Sequence, residues 1–219
     1  MQIIKPHFVI EDAIDGEEVL KKIERAGRTC YKSEDKITPD SARKFVAMIL
    51  RSGHESVIEH EKVTVRVICD RGVTHEIVRH RIASYSQEST RYCNYTGDVT
   101  FIQPDFALTP EDIALLVAIE EHYTKRIQQG LKPQQARYFL PNGLKTEIVI
   151  TYNLREWRHF FRLRCSKRAH PQMREITNPL LREFQKRIPI IFDDIVVEDW
   201  FKGFSGLKSR QDQKTPLYF

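Results

Sequence analysis

From Lys62 to Ile68 the chain alternates with a period of two: Val63, Val65 and Val67 face one way, and Lys62, Thr64 and Arg66 the other. That pattern predicts a half-buried strand. The run EIVITYN carries Ile148, Val149 and Ile150 in succession and reads as a strand buried on both faces. IIKPHFVI at the start reads as a short strand that Pro6 limits to an edge or breaks early. Val99 to Ile102 is a further short strand.

Helical spacing occupies most of the rest. From Gly16, EEVLKKIERAGR places Val19, Leu20 and Ile23 on one stripe, and Asp40 to Arg51 forms a second helix stopped by Gly53. A third helix is expected from Val73 to His80. The clearest helix starts at a Thr109 cap with Pro110 in its first turn and Glu111 and Asp112 at its positive end, and closes at Gly130. KPQQARYFLP gives a short helix, LREWRHFFRLR an amphipathic one, and PQMREI begins a last helix that Pro179 is expected to kink or restart. Between His80 and Val99, SYSQESTRYCNYTGD lacks apolar periodicity and is rich in turn formers, so it reads as a loop. Helices and strands mix without a strict β-α-β order, which predicts an α+β fold with a small, antiparallel-rich sheet. One domain over residues 1–204 is expected, with a polar, poorly ordered tail over 205–219.

Composition narrows the class. With 41% hydrophobic and 30% charged residues the chain resembles an ordinary globular protein. No apolar run approaches the roughly 20 residues of a membrane span, and the first residues lack the pattern of a secretory leader. A cytoplasmic protein without membrane partners is expected. Cys30, Cys69, Cys93 and Cys165 are widely spaced with no C-x-x-C pair, which argues against a zinc knuckle or redox dithiol. The net charge of +5 is concentrated in Arg79 to Arg91 and Arg155 to Arg174, which suggests an anionic partner.

The most informative segment is Arg79-His80-Arg81-Ile82-Ala83-Ser84-Tyr85-Ser86-Gln87-Glu88-Ser89-Thr90-Arg91. Successive side chains on a helix point about 100° apart, so three adjacent basic residues fit best at a helix end, fanned around a ligand. The hydroxyls of Ser84, Ser89 and Thr90 and the Arg91 guanidinium add phosphate donors, and Gln87 and Glu88 suit a base or a sugar. A solvated basic loop and a nucleic-acid patch are the alternatives. The amide and carboxyl groups interrupting the run argue against the second, and the hydroxyls recurring beside arginines against the first.

This segment resembles the signature R-H-R-x-x-S-x-x-x-x-S-x-R of the flavin-dependent thymidylate synthases; Arg79, His80, Arg81, Ser84, Ser89 and Arg91 fill every specified position. Two further segments are similar to that family. Gly53-His54-Glu55-Ser56…Glu59-His60 matches its G-H-E-S/T…E-H element; Ile58 rules out the H-E-x-x-H zinc motif, and no metal is expected. Asn153 to Arg164 matches its N-x-R…H/N-F…L-R stretch, with Leu154, Trp157 and Phe161 as an apolar stripe and Arg155, His159 and Arg162 on another face.

The resemblance implies FAD contacts from His54, Ser56, Arg79, His80, Arg81, Gln87, Asn153, Arg155 and His159, with Glu59 in support. It implies dUMP contacts from Glu76, Arg79, Gln87, Glu88, Ser89, Thr90, Arg91, Arg137 and Arg164, with Arg137 reaching in from another subunit. Arg164 is implied as the catalytic residue, polarising the pyrimidine. The implied reaction methylates dUMP with methylenetetrahydrofolate as carbon donor and NADPH as reductant through FAD, in a homotetramer, without a cysteine nucleophile and without nucleic acid as partner. A continuous helix places Arg155 and Arg164 about 180° apart, so either the helix ends near Leu163 or the two arginines serve different boundaries. CSKRAHPQMREI, after Arg164, is a few residues longer than the family pattern. The rivals are a nucleic-acid-binding protein and a flavoprotein oxidoreductase of another kind.

Overall fold

The computed structural model describes residues 1–197. Pro6 splits the opening strand: β1 (Gln2–Ile4) pairs in parallel with β5 (Thr100–Ile102), and β2 (His7–Ile10) joins the edge of the main sheet. That sheet has the order β2-β3-β6-β4 and is antiparallel throughout, with β3 at Lys62–Asp70, β4 at Ser84–Gln87 and β6 at Lys145–Asn153. The fold is α+β with small sheets, as the element order implied.

The pleat decides what each strand buries. Val63, Val65, Val67 and Cys69 of β3 pair with Tyr152, Ile150, Ile148 and Thr146 of β6, and all eight lie buried on one face. Period-two alternation puts Thr64, Thr151, Arg66 and Val149 on the other face. The expectation that β6 is buried on both faces is therefore corrected: its burial alternates along its whole length. The apolar face joins buried residues of α1 (Gly16–Thr29), α2 (Ser41–Arg51), α6 (Leu154–Arg164) and α7 (Pro171–Arg187) in one core. Trp157 is fully buried there among Tyr152, Phe160, Phe161 and Phe184, and its indole N–H donates to the Val63 carbonyl at 3.0 Å. A smaller core of Val99, Phe101, Tyr123, Ala136 and Leu144 lies where β5 meets α4 (Pro110–Gln128) and α5 (Pro133–Ala136).

Helix boundaries follow local chemistry. Thr109 and Asp112 form a reciprocal capping box at α4, and Gly130 takes φ 95° just past its end. Asp70 caps α3 (Arg71–Ile77) by accepting from the Val73 N–H at 2.8 Å, so this helix starts two residues before the predicted point and stops short of the basic triplet. Pro179 lies inside α7, which runs on as one helix and does not restart. SYSQ departs most from expectation. Ser84 to Gln87 is the strand β4, not a loop, with Ser84 and Ser86 exposed and Tyr85 and Gln87 half-buried. An edge strand needs only one covered face, and a tyrosine and a glutamine supply it here. Residues 205–219, the predicted tail, lie outside the described residues.

Candidate active site

Arg164 is the last residue of α6, and its own fold aims its guanidinium. Nε donates to His80 Nε2 at 3.2 Å, Nη1 to Glu76 Oε2 at 2.7 Å and Nη2 to the Glu76 carbonyl at 2.9 Å. A guanidinium carries five N–H donors, so two remain for a ligand. The helix end is fixed by Thr177, whose hydroxyl donates to the Arg164 carbonyl at 2.9 Å. Glu76, implied as a substrate contact, meets Arg164 through both its carboxylate and its backbone carbonyl.

His80 turns inward, away from the exposed Arg79 and Arg81 on either side. Its Nδ1 meets Glu156 Oε1 at 2.8 Å, with both side chains buried. Burial lowers the proton affinity of His80, and Arg164 and His159 act in the same sense against the pull of Glu156. The Tyr85 hydroxyl donates to the His80 carbonyl at 2.6 Å, and the Tyr152 hydroxyl lies 2.8 Å from it. Glu156, Tyr85 and Tyr152 were missed in the sequence. Asn153-x-x-Glu156 spells a capping box, and Asn153 does cap α6, accepting from the Glu156 N–H at 2.9 Å. The glutamate carboxylate goes to His80 instead of back to the cap.

His80, Glu156 and His159 bring ligand-type atoms within 4.8 Å of one another. This is not a metal site as arranged, because Arg164 occupies one nitrogen of His80 and Glu156 the other.

The remaining predicted residues form two further groups. Arg155 points the opposite way from Arg164, to Glu59 at 2.5 Å, on the surface where His54, Ser56 and His159 are exposed. α6 ends at Arg164, one residue past Leu163, and the two arginines meet different partners, Glu59 and Glu76. At the far end of β4, Arg91 donates to Gln134 at 3.2 Å and Arg137 to the buried Thr90 at 3.3 Å, with Ser89 accepting from the Arg91 N–H. Between these ends β4 is extended: Ser84 lies opposite Thr151, Gln87 opposite Ile148, and the Glu88 N–H bonds to the Glu147 carbonyl. Four extended steps span about 13 Å. The signature that reads as one phosphate loop is thus two basic ends held apart by a strand. Gln87 donates to Thr74 at 3.0 Å, and Glu88 accepts from Tyr95 and Lys145, so both are occupied within the chain.

An apolar hollow of about 420 Å³ is lined by Val73, Phe101, Ile102, Phe106 and Leu116, and takes only Glu76 from the predicted set. This hollow does not gather the predicted ligand contacts. Arg79 and Arg81 are exposed and have no ion pair among the described residues, which leaves both forks for phosphate. With the exposed His54, Ser56 and His159 they make a donor set that fits a flavin dinucleotide. Cys69 and Cys165 are buried, and burial pushes both thiols up, that of Cys165 to about 11, so neither supplies a thiolate near neutrality.

The family model described as "Thymidylate synthase complementing protein" matches residues 13–190. A flavin-dependent thymidylate synthase of Pyrococcus horikoshii is 41% identical over 162 residues, covering 70% of this chain and 67% of that one. One from Geobacter sulfurreducens is 35% identical over 182 residues, covering 77% and 78%. Among solved structures, a UMP/dUMP methylase from Streptomyces cacaoi bound with 5-Br dUMP shares the fold, with a TM-score of 0.73 at 22% identity and coverage of 88% and 95%. With the family model spanning most of its length and relatives this similar, the chain belongs to the flavin-dependent thymidylate synthases.

Proposed function

We propose that the protein methylates carbon 5 of dUMP, with methylenetetrahydrofolate as the one-carbon donor and NADPH as the reductant. One observation carries the assignment of roles: Arg164 is held on three sides by its own chain with two N–H donors left over. A fixed cation beside the uracil ring stabilises negative charge developing there without reorganising. FAD, when bound, supplies the reducing equivalents taken from NADPH. His54, Ser56, Arg79, Arg81, Asn153, Arg155 and His159 hold it, with Arg79 and Arg81 on its phosphates. Ser89, Arg91 and Arg137 take the nucleotide phosphate. No thiol takes part, in keeping with the buried, protonated Cys69 and Cys165.

The separation of the two ends of the signature supports a site shared between chains, with Arg164 from one and Arg91 from a neighbour, and we assign a homotetramer on that basis. Oligomers place such sites at their symmetric interfaces. Among the described residues no helix is long and apolar enough to cross a membrane, and we place the enzyme in the cytoplasm, with no nucleic-acid partner. The test is an absorption spectrum of purified protein, then release of tritium from carbon 5 of labelled dUMP with NADPH and the folate present. A flavin spectrum and dUMP-dependent release are expected. A colourless preparation that binds oligonucleotides in a strongly salt-dependent way would point to the nucleic-acid reading instead.

A further inference from the structure

We propose that Glu156 and His80 are positioning residues for Arg164, and that His80 acts in its neutral form with the proton on Nδ1. This rests on the reading that Arg164 meets the pyrimidine. The proton assignment follows from the partners alone. An arginine side chain is donor-only and always charged, so its Nε–H at 3.2 Å from His80 Nε2 requires a lone pair on that nitrogen. A carboxylate is acceptor-only, so Glu156 at 2.8 Å requires the hydrogen on Nδ1. Both demands specify the same tautomer. Guanidinium donates to imidazole, imidazole donates to carboxylate, and the chain runs in one direction.

Every piece of this chain is held. The His80 backbone is pinned by the Tyr85 hydroxyl on its carbonyl and by its own N–H on the Ile77 carbonyl at 3.2 Å. The rings of Tyr152, His159 and Phe160 surround the imidazole. Glu76 grips only the outer edge of the guanidinium, and its side chain is 37% exposed. The inner edge, at Nε, rests on His80. Without that rest the plane of the guanidinium turns, and its two free donors leave the direction the substrate needs. A misplacement of about 1 Å at a reacting centre costs on the order of 10²-fold in rate.

The device has an acid limit. The titratable and charged groups facing His80 are Glu156, His159 and Arg164 of α6, Tyr152 of β6 and Tyr85 of β4, with Glu76 of α3 behind Arg164. A second proton on His80 lands on Nε2 and faces the Arg164 N–H donor to donor, which breaks the contact. Because burial and Arg164 oppose that proton, the break falls below the ordinary histidine value of about 6.5.

The test uses FAD-loaded enzyme and the variants His80→Ala, Glu156→Gln and His80→Gln, and measures bound flavin, the dUMP dissociation constant and kcat for tritium release against pH. His80→Ala and Glu156→Gln are expected to lose about 10²-fold in kcat while flavin content stays within about twofold of wild type. His80→Gln keeps an acceptor for Arg164 and cannot titrate, so it is expected to recover most of that loss and to lack the acid limb of kcat. An unchanged acid limb in His80→Gln, or wild-type kcat in Glu156→Gln, overturns the proposal. If the histidine variants fail to fold, ¹⁵N spectra of wild-type holoenzyme decide it: a proton on Nδ1 with Nε2 bare supports the arrangement, and a proton on Nε2 refutes it. A wild-type enzyme that forms no thymidylate counts against the function proposed above, whereas active wild type with indifferent variants counts against this inference alone.

Discussion

Replacing Arg164 with lysine keeps the charge and removes the planar fork. The guanidinium spends three of its five N–H donors on His80 Nε2, Glu76 Oε2 and the Glu76 carbonyl and keeps two. An ammonium has three donors on one tetrahedral centre. Glu76 takes one, and the two left diverge from a tetrahedral centre instead of lying in the plane of a guanidinium. Loss of one preorganised donor to a developing anion costs about 10²–10³-fold in kcat, roughly 3–4 kcal/mol. Arg164→Lys is therefore expected to form thymidylate about 10²-fold more slowly, and Arg164→Ala about 10³-fold more slowly or worse. Both should retain flavin, since Arg164 is turned away from the Arg155 surface. Product is measured by chromatography of dTMP at saturating dUMP, and flavin by absorbance of the same samples. A turnover of Arg164→Ala within about tenfold of wild type would refute the electrostatic role, and parallel loss of flavin would refute the partition of the two arginines.

Three other outcomes are expected. Arg91→Ala should weaken dUMP by roughly 10- to 100-fold, the worth of one charge-assisted hydrogen bond, with FAD affinity little changed in calorimetric titrations of each ligand; equal losses contradict the assignment of Arg91 to the nucleotide phosphate. Arg158 is 3% exposed and bonds Asp194 through two nitrogens at 2.7 and 2.8 Å, Glu55 at 3.2 Å and the Ile191 carbonyl. Asp194, 54% exposed, regains water when released, so Arg158→Ala should cost about 1.5–3 kcal/mol, the worth of hydrogen bonds to charged groups, seen as a fall in Tm of roughly 3–12 °C; an unchanged Tm contradicts it. The double variant Cys30→Ala/Cys93→Ala removes the two thiols that are not buried and should form dTMP within about twofold of wild type, because the chemistry needs no thiolate.

The sequence told more about the frame than about the interior of the site. Val63, Val65 and Val67 announced their strand through spacing, and Thr109 with Pro110 announced α4, because period and cap chemistry are local. β4 escaped because its pairing with β6 is non-local and its residues, Ser, Tyr, Ser and Gln, carry no apolar alternation. The both-faces reading of β6 counted Val149 as core, but the pleat turns it beside Arg66. At the site, the residue types were legible and their directions were not. Arg164 stood out by motif, while its grip on Glu76 and His80 joins residues 88 and 84 positions away, which no window along the chain contains. Glu156 had a visible signal in Asn153-x-x-Glu156, but local logic sends that carboxylate back to the cap, and the buried imidazole of His80 outcompetes it.

The account depends most on Arg164 and Arg91 meeting one nucleotide from two different chains. Arg164→Ala and Arg91→Ala enzymes, each nearly inactive alone, are to be dissociated, mixed in equal amounts and reassembled, and dTMP formation measured against mock-mixed controls. Random assembly leaves both wild-type arginines together in about a quarter of the shared sites, so the mixture should recover up to roughly that share of wild-type activity. Chains shown to have exchanged, with activity no higher than the sum of the two parents, would contradict the shared site.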